Sequence, residues 1–372
     1  MQSKLKKPVW IHLPRGFVSP FGPGTCLRLE KSLYGLSVAP ALWANTCING
    51  FKKCGFVQSK FDPCLLYKPG MIVVLYVDDA GIGAANMDDI DELIDQLKNL
   101  GFELKKEGNF NEFLGIKLEK RSDNSIELTQ TGLIDKILQT TNMVNCNPNR
   151  IPAKGPLGSD PEGEPMDESW NYRSIVGMLL YLSTNTRPDI TFAVSQVARF
   201  SADPKQSHAT AVKTILRYLK RTRTLGMIIR ITGSLTLDLF VDADFLGLYK
   251  IEPFSDPNSA RSRTGFIVKL SDCPLTWRSQ LQSSITCSTL EAEYNALSSA
   301  LKVLIPLKRI LIEATSQLQI SSTIRSTISA RAFEDNQGAY YLATNQRITT
   351  RTRWYQNQCH LFRYQRVRVV IR

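Results

Sequence analysis

No apolar run in the 372 residues approaches the ~20 needed to cross a bilayer. The basic N-terminus, Met1-Gln-Ser-Lys-Leu-Lys-Lys-Pro8, is not followed by the apolar core of a signal peptide. The expectation is an intracellular chain, in cytoplasm or nucleus, with no membrane partner. The eight cysteines (Cys26, Cys47, Cys54, Cys64, Cys146, Cys273, Cys287 and Cys359) contain no CxxC spacing. That argues against a zinc ribbon or a disulfide framework and favours reduced thiols. Acid is also in deficit: 34 Asp and Glu face 46 Lys and Arg, for a net charge of +12 and a pI near 9.3. Such a chain suits a polyanionic partner, because cations that neutralise phosphates gain affinity by releasing counterions. Forty-three per cent hydrophobic residues exclude a disordered chain, and the length allows two or three domains.

What is present is organised around Met71-Ile-Val-Val-Leu-Tyr-Val-Asp-Asp-Ala80, a β-branched run that ends in two adjacent acids, Asp78 and Asp79. A second apolar run, Cys64 to Tyr67, precedes it across Lys68-Pro69-Gly70. The pattern reads as a β-hairpin with the acids at the exit of its second strand. Neighbouring ionised carboxylates repel each other and lose hydration when buried. A divalent cation removes both objections, and oxygen-only donors suit Mg²⁺. A solvated turn is the plain alternative.

Along the chain, Ser32 to Cys54 reads as a helix interrupted at Pro40. Asp88 and Asp89 open a helix with the apolar stripe Ile90, Leu93, Ile94 and Leu97. Strands are expected at Phe113 to Glu119 and Ser125 to Thr129, then a helix from Leu133 to Thr140. Asn145 to Asp167, with five prolines, reads as a linker. Three helices follow, Tyr172 to Leu182, Ile190 to Phe200 and Ala209 to Leu219. The third ends in Lys213, Arg217, Lys220, Arg221 and Arg223 around Tyr218, a candidate nucleic-acid contact. Leu235 to Val241 then runs into Asp242-Ala-Asp244, with further strands at Gly265 to Leu270 and Pro274 to Arg278. A helix from Ser288 to Leu301 carries Glu291 and Glu293, another runs to about Thr315, and Phe333-Glu-Asp-Asn-Gln337 leads into the helix Ala339 to Thr344. An Asp on a first strand, a Glu on a following helix and an Asp at a later strand end suit two metals about 4 Å apart for phosphodiester hydrolysis. Asp242, Glu291 and Asp335 fit those roles. Asp-Ala-Asp alone also fits a nucleotide-sugar transferase.

Tyr76-Val77-Asp78-Asp79 resembles the metal-binding signature of reverse transcriptases, in the form found in copia-type retrotransposon Pol polyproteins. Lys31-Ser-Leu-Tyr-Gly-Leu36 with Pro40 and Trp43, Phe61-Asp-Pro-Cys64, Phe113-Leu-Gly-Ile116 and Tyr172-Arg-Ser-Ile-Val-Gly177 follow in the family's order. Val241-Asp-Ala-Asp-Phe-Leu-Gly247, Arg261-Ser-Arg-Thr-Gly-Phe266, Ser288-Thr-Leu-Glu-Ala-Glu-Tyr294 and Glu334-Asp-Asn-Gln337 resemble its ribonuclease H domain. The resemblance runs from about residue 8 to 363. It implies an α/β (α+β) chain: a truncated reverse transcriptase palm and thumb over 1–150, a linker and helical connection over 151–232, a ribonuclease-H-like domain over 233–363 and a basic tail over 364–372. It implies RNA-directed DNA polymerisation with ribonuclease H, both using Mg²⁺ or Mn²⁺, on an RNA template or RNA·DNA hybrid with dNTPs. Metal-binding and catalytic roles fall to Asp78, Asp79, Asp242, Glu291 and Asp335.

The sequence departs from the family in three places. No aspartate precedes Asp62, where the family's first catalytic Asp is expected upstream, so polymerisation would need an upstream segment. Leu36-Ser37-Val38-Ala39-Pro40-Ala41 replaces a Leu-Lys-Gln-x-Pro-Arg pattern. Gln356 stands where the fourth ribonuclease H acid belongs, Trp354 where a His belongs, and His360 matches a family histidine. Arg363, Arg366, Arg368 and Arg372 alternate with apolar residues, as either an unselected tail or a nucleic-acid arm. The reading is a polymerase-inactive Pol segment with weak hybrid cleavage, or a non-catalytic basic binder or relic.

Overall fold

The computed structural model describes residues 3–17, 20–22, 24–106, 111–167, 169–230, 233–344 and 367–371. They form two compact units, Met1–Gly108 with Ile310–Ser321, and Asn109–Arg309 with Ser322–Arg372.

In the first unit, β1 (Lys4–His12) and β2 (Cys26–Lys31) make an antiparallel ribbon of their own. Helix α1 (Ala39–Lys53) has Pro40 in its first turn. Pro40 therefore opens the helix instead of interrupting it, because a first-turn N–H has no intrahelical partner to lose. Strands β3 (Val57–Gln58), β4 (Leu65–Lys68), β5 (Met71–Tyr76) and β6 (Asp79–Ala84) form an antiparallel meander in that order. Helix α2 (Met87–Asn99) begins with the expected Asp88 and Asp89 and buries Leu93 and Leu97. Those two leucines share a core with Phe51, Phe56, Leu66, Met71 and Val73.

The second unit starts with β7 (Glu112–Phe113), β8 (Ile116–Lys120) and β9 (Ile126–Thr129), then α3 (Thr131–Thr140). Helices α4 (Tyr172–Asn185), α5 (Thr191–Ala198) and α6 (Gln206–Arg221) pack with α3 around Ile134, Ile175, Leu179, Val194, Ile215 and Leu216. Strand β10 (Met227–Ile229) pairs with β9, so the boundary expected at 150 lies inside this unit. The proline-rich segment between α3 and α4 is a strap on the bundle, tied by backbone bonds at Asn149, Glu164 and Met166. His208 of α6 holds it too: Nε2 pairs with the Gly158 carbonyl at 2.9 Å while Nδ1 accepts from the Lys205 N–H at 2.9 Å.

The rest of this unit is a sheet with helices: β11 (Thr236–Asp244), β12 (Arg263–Leu270), β13 (Cys273–Leu281), α7 (Thr289–Gln317, counted in the first unit from Ile310 on), α8 (Ser322–Ser326), β14 (Ser329–Glu334), α9 (Gln337–Thr344) and β15 (Arg368–Ile371). Its order is β13-β12-β11-β14-β15, antiparallel on the β12 and β13 side and parallel on the β14 and β15 side. Period-two alternation puts Leu237, Leu239 and Val241 of β11 into the core with Phe266, Val268 and Leu270 of β12. Buried Ala292, Ala296, Leu297, Ala300, Leu301 and Leu304 line one face of α7. Two expectations change here. Helix α7 is continuous through Pro306, where the sequence suggests two helices. Residues 368–371, expected in a basic tail, pair in parallel with β14 as an edge strand.

The boundary expected at 232 also falls within this unit. Trp277 Nε1 donates to the Ser183 carbonyl at 2.7 Å, and Arg263 reaches Ser195 Oγ at 2.8 Å and Gln196 Oε1 at 3.2 Å. Arg199 and the buried Glu252 form an ion pair across the same seam.

Candidate metal centre

Three elements deliver carboxylates to one end of the β11 sheet. Asp242 lies two residues from the end of β11, and Asp335 directly follows β14, the parallel neighbour of β11. The third carboxylate is Glu293 of α7, and the ligand oxygens of Asp242, Glu293 and Asp335 all lie within 4.8 Å of one another. Asp242 and Asp335 are exposed, whereas Glu293 is buried.

Glu291, expected from the sequence to be the helical ligand, lies outside this cluster. Its carboxylate accepts the Cys287 N–H at 2.8 Å, while Ser288 Oγ accepts the Glu291 N–H at 3.2 Å. The Ser288 carbonyl already accepts the Ala292 N–H, which makes Ser288 the N-cap. Ser288-Thr-Leu-Glu291 is thus a capping motif that satisfies N–H groups at the start of α7. That pattern is visible in the sequence and is the signal that distinguishes Glu291 from Glu293.

The cluster is electrostatically unfavourable without a cation. Burial, then Asp242 and Asp335, pushes Glu293 up to about 7, and burial with Asp335 and Asp244 raises Asp242. Next to it, burial and then Glu293 push Glu334 up to about 8. Among the described residues, Glu293 Oε2 and Glu334 Oε2 are buried without a hydrogen-bond partner, and no ion pair reaches Asp242, Glu293 or Asp335. An orphaned carboxylate oxygen facing an all-oxygen donor set fits a hard divalent cation such as Mg²⁺.

The other expected acids sit at a hairpin. Tyr76 pairs with Asp79, so Val77 and Asp78 form the two-residue turn between β5 and β6. Val77 has a positive φ of 56° while Asp78 does not, the pattern of a type II′ turn. Trp43 Nε1 donates to the Val77 carbonyl at 2.7 Å and the Tyr34 hydroxyl donates to Asp78 Oδ2 at 3.1 Å. Asp78 and Asp79 are exposed, and among the described residues no third His, Cys, Asp or Glu joins them as a metal-sized cluster.

The basic end of α6 divides. Arg217 Nε donates to the Asn147 carbonyl at 2.6 Å and Lys220 Nζ to the Cys146 carbonyl at 2.7 Å, so both tie down the strap. Lys213 is half-buried and Arg221 is exposed. Gln356, Trp354, His360, Arg363, Arg366 and Arg372 lie outside the described residues.

The sequence match gives the class: residues 1–155 match the family model described as "Reverse transcriptase (RNA-dependent DNA polymerase)". The chain belongs to the copia-type retrotransposon Pol family. It is 31% identical over 370 residues to the "Retrovirus-related Pol polyprotein from transposon RE1" of Arabidopsis thaliana, covering 98% of this chain and 24% of that protein. It is 32% identical over 368 residues to the corresponding polyprotein of transposon TNT 1-94 of Nicotiana tabacum, covering 95% of this chain and 27% of that one. The chain thus spans about a quarter of the length of these relatives. A foamy viral protease-reverse transcriptase solved with dsDNA aligns at 12% identity with a TM-score of 0.44, covering 94% of this chain and 62% of that one.

Proposed function

We propose that Asp242, Glu293 and Asp335 form a divalent-metal site that hydrolyses the RNA strand of an RNA·DNA hybrid. The observation that carries the proposal is the convergence of three carboxylates within 4.8 Å with no compensating cation among the described residues. Bound divalent ions would supply an activated water and charge neutralisation at the leaving oxygen. The chain's own contribution is to hold the acids on a rigid frame. Asp242 rides on β11, Asp335 directly follows the paired strand β14 and Glu293 stands on a long helix, so each donor lies on or next to a regular element. The experiment is RNA release from a labelled hybrid by the full chain in Mg²⁺ or Mn²⁺. Asp242→Asn, folded by circular dichroism, lowers the rate at least about a hundredfold. Equal rates for the two proteins would refute the site.

The same reading holds that this chain does not extend a primer by itself. Two metals at a polymerase centre need acids from more than one strand, and the described residues offer only the hairpin pair Asp78 and Asp79. Template-primed dNTP incorporation stays at background for the purified chain. Incorporation that disappears with Asp78→Ala would overturn this part.

A further inference from the structure

Glu293 reaches the cluster only if the first turn of α7 sits at a fixed height and rotation against β11. The Ser288 cap shapes that turn from within the helix, through its bonds to Glu291 and Ala292. Gln282 supplies a link to the sheet. It directly follows β13, and its own N–H donates to the Ser262 carbonyl at 2.8 Å. Its side-chain Nε2 donates to the Thr264 hydroxyl at 3.1 Å and to the Ala292 carbonyl at 2.9 Å. Thr264 lies on β12 opposite Ala243, the residue after Asp242, and Ala292 immediately precedes Glu293. One amide therefore ties the backbone beside the helical acid to the strand paired with the one that carries Asp242. The orientation of that amide is fixed: reversed, Oε1 would face the Ala292 carbonyl with no proton between two acceptors. Gln282 is 7% exposed, and its Oε1 is buried without a hydrogen-bond partner among the described residues. An orphaned acceptor destabilises the fold, so a brace for stability alone would be served as well by an apolar side chain of the same volume.

We propose that Gln282 is a positioning residue for the divalent-metal site, holding the first turn of α7 so that the Glu293 carboxylate stays on the same ion as Asp242 and Asp335. The inference rests on the metal reading above. Gln282 acts through the Ala292 carbonyl and is not itself a ligand. Mg²⁺ demands near-ideal octahedral geometry, so a helical donor displaced by more than about 0.5 Å costs affinity.

The test is Mn²⁺ binding by the full chain without nucleic acid, read from the electron paramagnetic resonance of the free ion, with thermal unfolding in EDTA on the same samples. Gln282→Met keeps the volume, removes both hydrogen bonds of the amide and removes the orphaned oxygen. Its Mn²⁺ dissociation constant rises about tenfold or more, while the unfolding midpoint moves by no more than about 3 °C. Thr264→Val removes one of the two anchors and leaves Gln282 in place. Its affinity falls between those of wild type and Gln282→Met, and it reads the link should Gln282→Met misfold. Asp242→Asn is the control for the site itself. Weakened binding in Asp242→Asn with wild-type binding in folded Gln282→Met and Thr264→Val would overturn the Gln282 role alone. A large fall in the unfolding midpoint of Gln282→Met with unchanged affinity would do the same, leaving Gln282 a structural brace. Equal binding by wild type and Asp242→Asn would remove the metal site and, with it, what Gln282 positions.

Discussion

Glu291 and Glu293 lie two positions apart on α7, about 200° apart around the helix axis, so they cannot face the same neighbour. Asp242 and Asp335, which the structure brings into one cluster, could be proposed from the sequence because each lies at or just past the end of a segment that reads as a strand. The helical acid was not, since either glutamate satisfies a loose strand-helix-strand spacing. The decision lies with Ser288, whose hydroxyl draws Glu291 into the cap and leaves Glu293 on the inner face. Burial has a thermodynamic consequence at this scale. The ordinary carboxyl value near 4.5 rises to about 7 at Glu293 and about 8 at Glu334, so the folded protein holds protons that the unfolded chain releases. The stability associated with those protons is complete below pH 4.5 and is lost as pH rises through 7 and 8. Burial lowers His208 from the ordinary imidazole value. The midpoint of thermal unfolding in EDTA falls from about pH 6.5 to 8.5, and Mn²⁺ restores more of it at the alkaline end, where the carboxylates are ionised. A flat profile that metal does not move contradicts the buried cluster.

At the level of elements, apolar periodicity made most helices and strands legible, but pairing partners far along the chain did not show. Strand β6 was missed because Gly81-Ile-Gly-Ala84 has few residues that favour a strand, and hydrogen bonding to β5 imposes the conformation. Asn145 to Asp167 read as a linker because prolines suppress both periodicities. In the structure its carbonyls and N–H groups are taken up by α6 and by the residues just before it. The β5–β6 turn is the element whose local preference is most plainly violated. Val77, a β-branched residue 55% exposed, occupies a position that favours glycine. Val77→Gly relieves strain of about 1–3 kcal/mol against a glycine entropy cost of about 0.5–1 kcal/mol. A net gain of about 1 kcal/mol in urea unfolding is expected, and a loss of stability would show that the turn is not held in this conformation.

For the whole molecule, the limits expected at 150 and 232 both fall inside the second compact unit, Asn109–Arg309 with Ser322–Arg372. Composition cannot report that Met227–Ile229 closes a sheet begun at Glu112, or that Trp277 and Arg263 bind the helices to the second sheet. The family was legible from ordered motifs along almost the entire chain. The metal site proposed for the second unit is built on Asp242, Glu293 and Asp335. The most direct test is hybrid cleavage by wild type, Glu293→Gln and Glu291→Gln, side by side in Mn²⁺. Glu293→Gln is expected to lose at least about a hundredfold and Glu291→Gln to cleave at a near-wild-type rate, its cost being a helix cap of about 1 kcal/mol in stability. Loss in Glu291→Gln with full activity in Glu293→Gln would contradict it.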